Sequence, residues 1–211
     1  MKHSSDSRER LIEAARALFA QQGYDGASVR DITRRAKANL GAITYHFVSK
    51  EGLYHAVLER FAVPLAERLA TIAAEPRPPV ERIADVLRAF FDHIGEHPEM
   101  PSLIVRELAS GRPLAEPVAR VIARNVQSIS RIIIEGQADG SIRPGEPPLI
   151  AMTIAAHPLF FAVARAPLQH ALGTDPREPA VRHRIVEHVI ATLEGGLANP
   201  VRTAIPQDGV Q

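Results

Sequence analysis

The sequence contains no cysteine and no tryptophan. Without a thiol there is no disulfide framework, no thiol catalysis and no Cys-based metal site. Aromatic residues are few, seven Phe and three Tyr. No apolar run approaches the ~18–20 residues that a membrane span requires, and the opening stretch MKHSSDSRER lacks the apolar segment of a secretory signal. Neither sign of charge dominates, because 25 Lys and Arg stand against 24 Asp and Glu. The G-x-S-x-G, Gly-rich phosphate-loop and H-E-x-x-H patterns of common enzymes are also missing. The expectation is therefore a cytoplasmic protein that is not an enzyme and carries no catalytic residue.

Within 211 residues, 45% hydrophobic and 23% charged, there is room for one large domain or two small ones around a proper core. The charge is unevenly placed. The first 60 residues hold ten basic against seven acidic side chains, and the remaining 151 hold fifteen against seventeen. A basic end on a near-neutral body is a weak sign of nucleic acid. Proline draws the boundary more sharply, since none of the 17 prolines precedes Pro64.

Hydrophobic spacing gives helices and no period-2 strands, so the fold is expected to be all-α. Leu11, Ile12, Ala15, Leu18 and Phe19 share one face of a first helix ending near Gly23. Ser28 and Asp31 form a capping box for a second helix, with Val29 and Ile32 on its inner face. Lys37-Ala38-Asn39 reads as a tight turn, with Asn39 as the N-cap of a third helix over 40–47. Ser49 caps a fourth helix that runs from Lys50 to about Ala74, and Pro76, Pro78 and Pro79 stop it. Later helices are expected over 80–96, 101–110, 114–137, 148–172 and 178–197. The organisation that follows is an N-terminal helix-turn-helix unit over 1–50, a larger helical domain over 51–197, and a frayed tail over 198–211.

Three short helices with a three-residue turn between the second and third are the outline of a helix-turn-helix, whose last helix enters the DNA major groove. In the third helix Leu40, Ile43 and Phe47 recur at i, i+3 and i+7, so they are expected to pack inward. Gly41, Ala42, Thr44 and Tyr45 are then left facing out. Small residues allow close approach to base edges, and Ala and Thr methyls can meet a thymine methyl. Tyr45 and His46 can bond phosphates, and Lys50 adds a charge at a helix N-terminus.

The segments A-x-x-L-F-x-x-x-G-Y at Ala15–Tyr24, S-V-R-D-I at Ser28–Ile32 and A-N-L-G-A-I-T-Y-H-F-V-S-K-E-G-L at Ala38–Leu53 resemble the DNA-binding domain of the TetR/AcrR family of transcriptional regulators. The likeness covers about residues 7–61, and its last segment is similar to the CecR-related branch. It implies base-edge contacts from Leu40, Gly41, Ala42 and Thr44, and phosphate contacts from Ser28, Arg30, Tyr45, His46 and Lys50. Two positions depart from the pattern. Lys37 stands where Gly is common, at a cost of about 1 kcal/mol if the backbone is left-handed there, and Thr33 stands where a small Ala usually packs.

The resemblance further implies a homodimer on a palindromic DNA operator, released by a small-molecule effector of unknown identity. Two-fold symmetry follows from DNA geometry, which places half-sites about 34–36 Å apart. Interface candidates on the last two long helices are Leu149, Met152, Ala156, Phe160 and Val163, with Ile185, Val189, Leu193 and Leu197. Effector-pocket candidates are Phe90, Phe91, His93, Met100, Leu103, Arg106, Ile122, Val126, Ile129 and Phe161. Every one of these would serve equally as plain intramolecular core. His93 and His97 at i, i+4 can share a metal, but no Cys or carboxylate set supports them, and no metal or cofactor is expected. Two alternatives stay open: a helical protein-interaction module without DNA binding, and an activator of the same fold without an effector.

Overall fold

The computed structural model describes residues 2–109, 111, 114, 116–176 and 178–198. Among the described residues ten helices run in chain order: α1 Lys2–Gly26, α2 Val29–Ala36, α3 Gly41–Phe47, α4 Lys50–Ala74, α5 Pro79–Glu96, α6 Met100–Ala109, α7 Glu116–Ala138, α8 Pro147–Val163, α9 Arg165–Leu172 and α10 Pro179–Leu197. Among the described residues no strand forms, and the one β-type pairing is an isolated antiparallel bridge between Ile142 and Ala198. No single helix among the described residues is long and apolar enough to cross a membrane.

Two compact units divide the chain. The first comprises residues 1–64 and 97–122, the second 65–96 and 123–211. The division passes within α4, next to Pro64, whose ring nitrogen offers no proton to the helix. The expected break at residue 50 is the start of α4, but the first unit also needs the rest of that helix up to Pro64. Leu53, Tyr54, Val57 and Leu58 from α4 join Leu11, Ile12, Phe19, Ile32, Ile43 and Phe47 in a single core. Helix α6 adds Met100 and Leu103 to it. The second unit has its own core, built from α5, α7, α8 and α10 around Leu87, Phe90, Ile129, Ile133, Ile154 and Val189.

The expected helix over 148–172 is two helices. It breaks at Ala164, with a bend of 76° between α8 and α9. Pro167 explains the break, because a continuous helix would need its missing N–H and would press its ring against the Val163 carbonyl. The tail expected over 198–211 overlaps the described residues only at Ala198. Ala198 pairs with Ile142, and the Arg143 N–H donates to the Leu197 carbonyl at 2.9 Å; residues 199–211 lie outside the described residues.

A buried cation braces the second unit. The Arg82 guanidinium donates to the Ala73 carbonyl at 3.0 Å and to the carboxylate of Glu135, itself also bonded by Arg131. The Arg82 hydrogen bond, against some desolvation, holds the Glu135 carboxyl below its ordinary value of 4.5. A lowered folded value means that Glu135 stabilises the fold above that ordinary value and loses its contribution as pH falls through the folded one. Glu135→Gln should therefore lower the melting temperature at neutral pH and flatten its acid limb. An unchanged acid limb in a pH series of thermal melts would show that the pair contributes nothing.

Candidate nucleic-acid interface

Helix α2 begins as its sequence dictates. The Ser28 hydroxyl accepts the Asp31 N–H at 3.1 Å and donates to the Asp31 carboxylate at 2.6 Å. That bond from Ser28 is the largest influence and outweighs desolvation, and with a further contribution from Arg34 it holds the Asp31 carboxyl below its usual value. The single hydroxyl proton of Ser28 is thus engaged in the cap, so a phosphate contact there would fall to the backbone. At the other end Lys37 is left-handed, φ 51° and ψ 45°. Its N–H reaches the Arg34 carbonyl at 3.2 Å and the Ala38 N–H reaches Thr33 at 2.9 Å, the paired bonds of a Schellman close. Thr33 is buried, and its hydroxyl donates to the Val29 and Arg30 carbonyls at 3.0 and 3.2 Å. Both departures from the family pattern are accommodated locally.

Helix α3 buries Ile43 and Phe47 as expected, and Ala42 packs half-buried beside them. Leu40 does not join them. It occupies the N-cap, 55% exposed, ahead of the first helical residue, where no element covers it. Asn39 is not the cap; it contributes its carbonyl, which accepts the Ala42 N–H at 3.1 Å. The outward surface is then Leu40, Gly41, Thr44 and Tyr45, the last 78% exposed, with His46 half-buried at an edge-on 4.8 Å from the Tyr45 ring.

Sequence reasoning overlooked two residues here. The Arg8 guanidinium lies 5.3 Å from the centre of the Phe47 ring, which brings a cation from α1 to the end of α3. Val48 is held at φ 68°, ψ −43°, with the Ser49 N–H bonded to the Phe47 carbonyl at 2.7 Å and its side chain 82% exposed. This is a strained three-residue turn for a β-branched residue. No sequence signal marks Val48 as left-handed. Gly52 is the complementary signal, since a Cβ there would lie 2.1 Å from the Phe47 carbonyl oxygen. The Ser49 hydroxyl accepts the Gly52 N–H at 3.0 Å and starts α4. Lys50, next in line, places its ammonium 4.4 Å above the Tyr24 ring. Arg30, Arg35 and Lys37 have no ion-pair partner among the described residues, so this unit presents uncompensated positive charge.

The expected pocket residues do not share one core. Phe90, Phe91, Val126, Ile129 and Phe161 meet in the second unit, with the Phe91 and Phe161 rings 6.3 Å apart, and His93 is buried on the same α5. Met100 and Leu103 pack in the first unit instead, because α6 lies against α1, and Ile122 of α7 packs half-buried against the same core. Arg106 is exposed there, beside the Gly23 turn. Two polar groups were missed: the Ser130 hydroxyl and the Asn125 carboxamide oxygen are buried in the second unit with no hydrogen-bond partner among the described residues. The interface candidates divide by helix. All five on α8, Leu149, Met152, Ala156, Phe160 and Val163, are exposed. On α10, Val189 and Leu197 are buried in the unit's own core and Ile185 and Leu193 pack half-buried against it.

Comparison with known proteins places these features in a family. Residues 11–57 match the model described as bacterial regulatory proteins, tetR family, and residues 79–193 match that of a tetracyclin repressor-like C-terminal domain. The chain is 31% identical over 141 residues to the HTH-type transcriptional repressor DhaR of Mycobacterium sp. (strain GP1), covering 64% of this chain and 70% of that protein. It is 31% identical over 140 residues to the repressor KstR2 of Mycolicibacterium smegmatis, covering 65% and 68%. Among solved structures, AibR in complex with isovaleryl coenzyme A and operator DNA shares the fold, with a TM-score of 0.69 at 18% identity over 88% of this chain and 97% of that one.

The junction between α3 and α4 can be tested from both sides. Val48→Gly should raise stability by about 1 kcal/mol by removing the side chain that opposes a positive φ. Gly52→Ala should lower it by more, since its methyl would meet backbone. Chemical denaturation reads both, and a destabilised Val48→Gly would show that the turn is not strained.

Proposed function

The chain belongs to the tetR family of bacterial regulatory proteins, and from that premise we infer that it acts in the cytoplasm as a homodimeric repressor, holding a palindromic operator through α2 and α3 and releasing it when a small molecule binds. The observation that carries the reading is the pairing of two surfaces: an uncovered small-residue face on α3 and an uncovered apolar stripe on α8. Leu149, Met152, Ala156, Phe160 and Val163 follow at i, i+3, i+7, i+11 and i+14, one continuous line along the helix. A contiguous exposed apolar stripe calls for a partner, and duplex DNA with two half-sites calls for a second copy of the chain.

Base edges would be read by Leu40, Gly41, Ala42 and Thr44, whose small or apolar side chains suit the floor of the major groove. Arg30, Tyr45, His46 and Lys50 would hold phosphates and fix the register, Ser28 through its backbone. The effector would enter the second unit, where Phe90, Phe91, Val126, Ile129 and Phe161 offer apolar contact and Ser130 and Asn125 offer unused polar atoms. AibR, seen with isovaleryl coenzyme A and operator DNA together, supports a fold that carries both kinds of ligand. Helix α4 runs from Lys50 into the second unit and is the covalent route between the two sites. A coupling of about 1–3 kcal/mol would release DNA by roughly 5–150-fold.

Met152, 59% exposed on α8, is the handle for a test. Met152→Glu should leave helix content and melting behaviour of the chain intact, convert dimer to monomer in analytical ultracentrifugation, and weaken duplex binding in parallel. A variant that remains dimeric at the same concentration would remove α8 from the interface.

A further inference from the structure

We propose that Tyr24 is a positioning residue for the DNA contact of Lys50: its ring holds the ammonium at the start of α4 without neutralising it. The inference rests on the reading of Lys50 as a phosphate contact. Gly23, at φ 74°, breaks the helical run of α1 just before Tyr24. The positive φ makes this a glycine position, while the nearest atom to a Cβ there is the movable end of Arg106 at 3.1 Å.

Beyond the turn the Tyr24 ring is fixed by two others. It stacks on Phe19 at 5.9 Å and 27°, and meets Tyr54 at 5.0 Å and 61°. Phe19 and Tyr54 meet edge-to-face at 5.1 Å and 88°, which closes a triangle of rings. Tyr54 is in turn anchored by its hydroxyl, which donates to the buried Glu107 carboxylate at 3.0 Å. Lys50 and Tyr54 stand at i and i+4 on α4 and so share a face. The ring that packs against Tyr54 therefore also receives the Lys50 ammonium, 4.4 Å from its centroid.

The choice of partner matters. Four arginines of this unit are compensated by carboxylates, Arg10 by Asp6, Arg16 by Glu13 and Glu99, Arg34 by Asp31 and Arg60 by Glu9. A phosphate reaching those groups must compete with an anion already in place. Lys50 instead rests on a neutral ring face. That face restrains a flexible side chain but leaves its full charge and its remaining N–H directions available to the backbone of DNA.

The test is a double-mutant cycle on mixed-sequence duplex DNA, read as affinity against salt. Lys50→Ala should flatten the salt slope by about one unit. Tyr24→Leu should weaken binding about three- to tenfold, Tyr24→Phe should restore most of it, and the Tyr24→Leu loss should vanish in the Lys50→Ala background. In the unmutated protein the Lys50 ε-methylene protons should be shifted upfield by the ring, a readout that does not depend on whether a variant folds. A Tyr24→Leu loss that persists without Lys50, or ε-methylene protons at ordinary shifts, overturns the proposal while leaving the phosphate contact standing. A Lys50→Ala salt slope equal to that of the unmutated protein overturns the contact itself, and the proposal with it.

Discussion

Helix α3 spans seven residues, Gly41–Phe47, and a helix that short does not hold together in water on its own. Its shape is supplied by the burial of Ile43 and Phe47 against α1, α2 and α4. Burying two such side chains contributes about 1.5–3 kcal/mol each, most of what keeps the segment helical. The exposed side chains proposed to read DNA are therefore placed by the two that are buried. Every other feature of the unit serves that placement: the Ser28 cap, the Schellman close at Lys37, and the early start of α4 at Lys50.

Compactness of this kind has a local cost, borne at two non-glycine residues with positive φ, Lys37 and Val48. They bracket α3 on either side. The Phe47 carbonyl then faces position 52, where only hydrogen fits. Strain gathered beside a functional surface is the usual pattern where a short element must be aimed rather than merely packed.

Local chemistry was legible in the sequence and long-range pairing was not. Ser28 and Asp31 announced their box, and Ser49 its cap, because those bonds span three residues. Leu40 misled because periodicity describes a helix interior and Leu40 lies at the N-cap, outside it. Pro167 carried the α8–α9 break, but the apolar residues on either side read as one run. Nothing near Met100 or Leu103 says that α6 packs with helices eighty residues earlier. Periodicity also finds an apolar face without saying what covers it. On α10 the cover is the unit's own core, and on α8 the line from Leu149 to Val163 is exposed among the described residues. The Tyr24–Lys50 contact needed three dimensions, since 26 residues separate the pair.

The exposed faces of α3 and α8 are the basis of the proposal that the chain recognises duplex DNA with two-fold symmetry. The most direct test of that proposal is selection of bound duplexes from a random library by the protein at physiological salt, with its oligomeric state measured in the same buffer. Enrichment of a palindrome, with half-sites spaced by about one helical turn or a multiple of it, is the predicted result. A folded, dimeric sample that enriches no sequence, or enriches a single unpaired half-site, would contradict it.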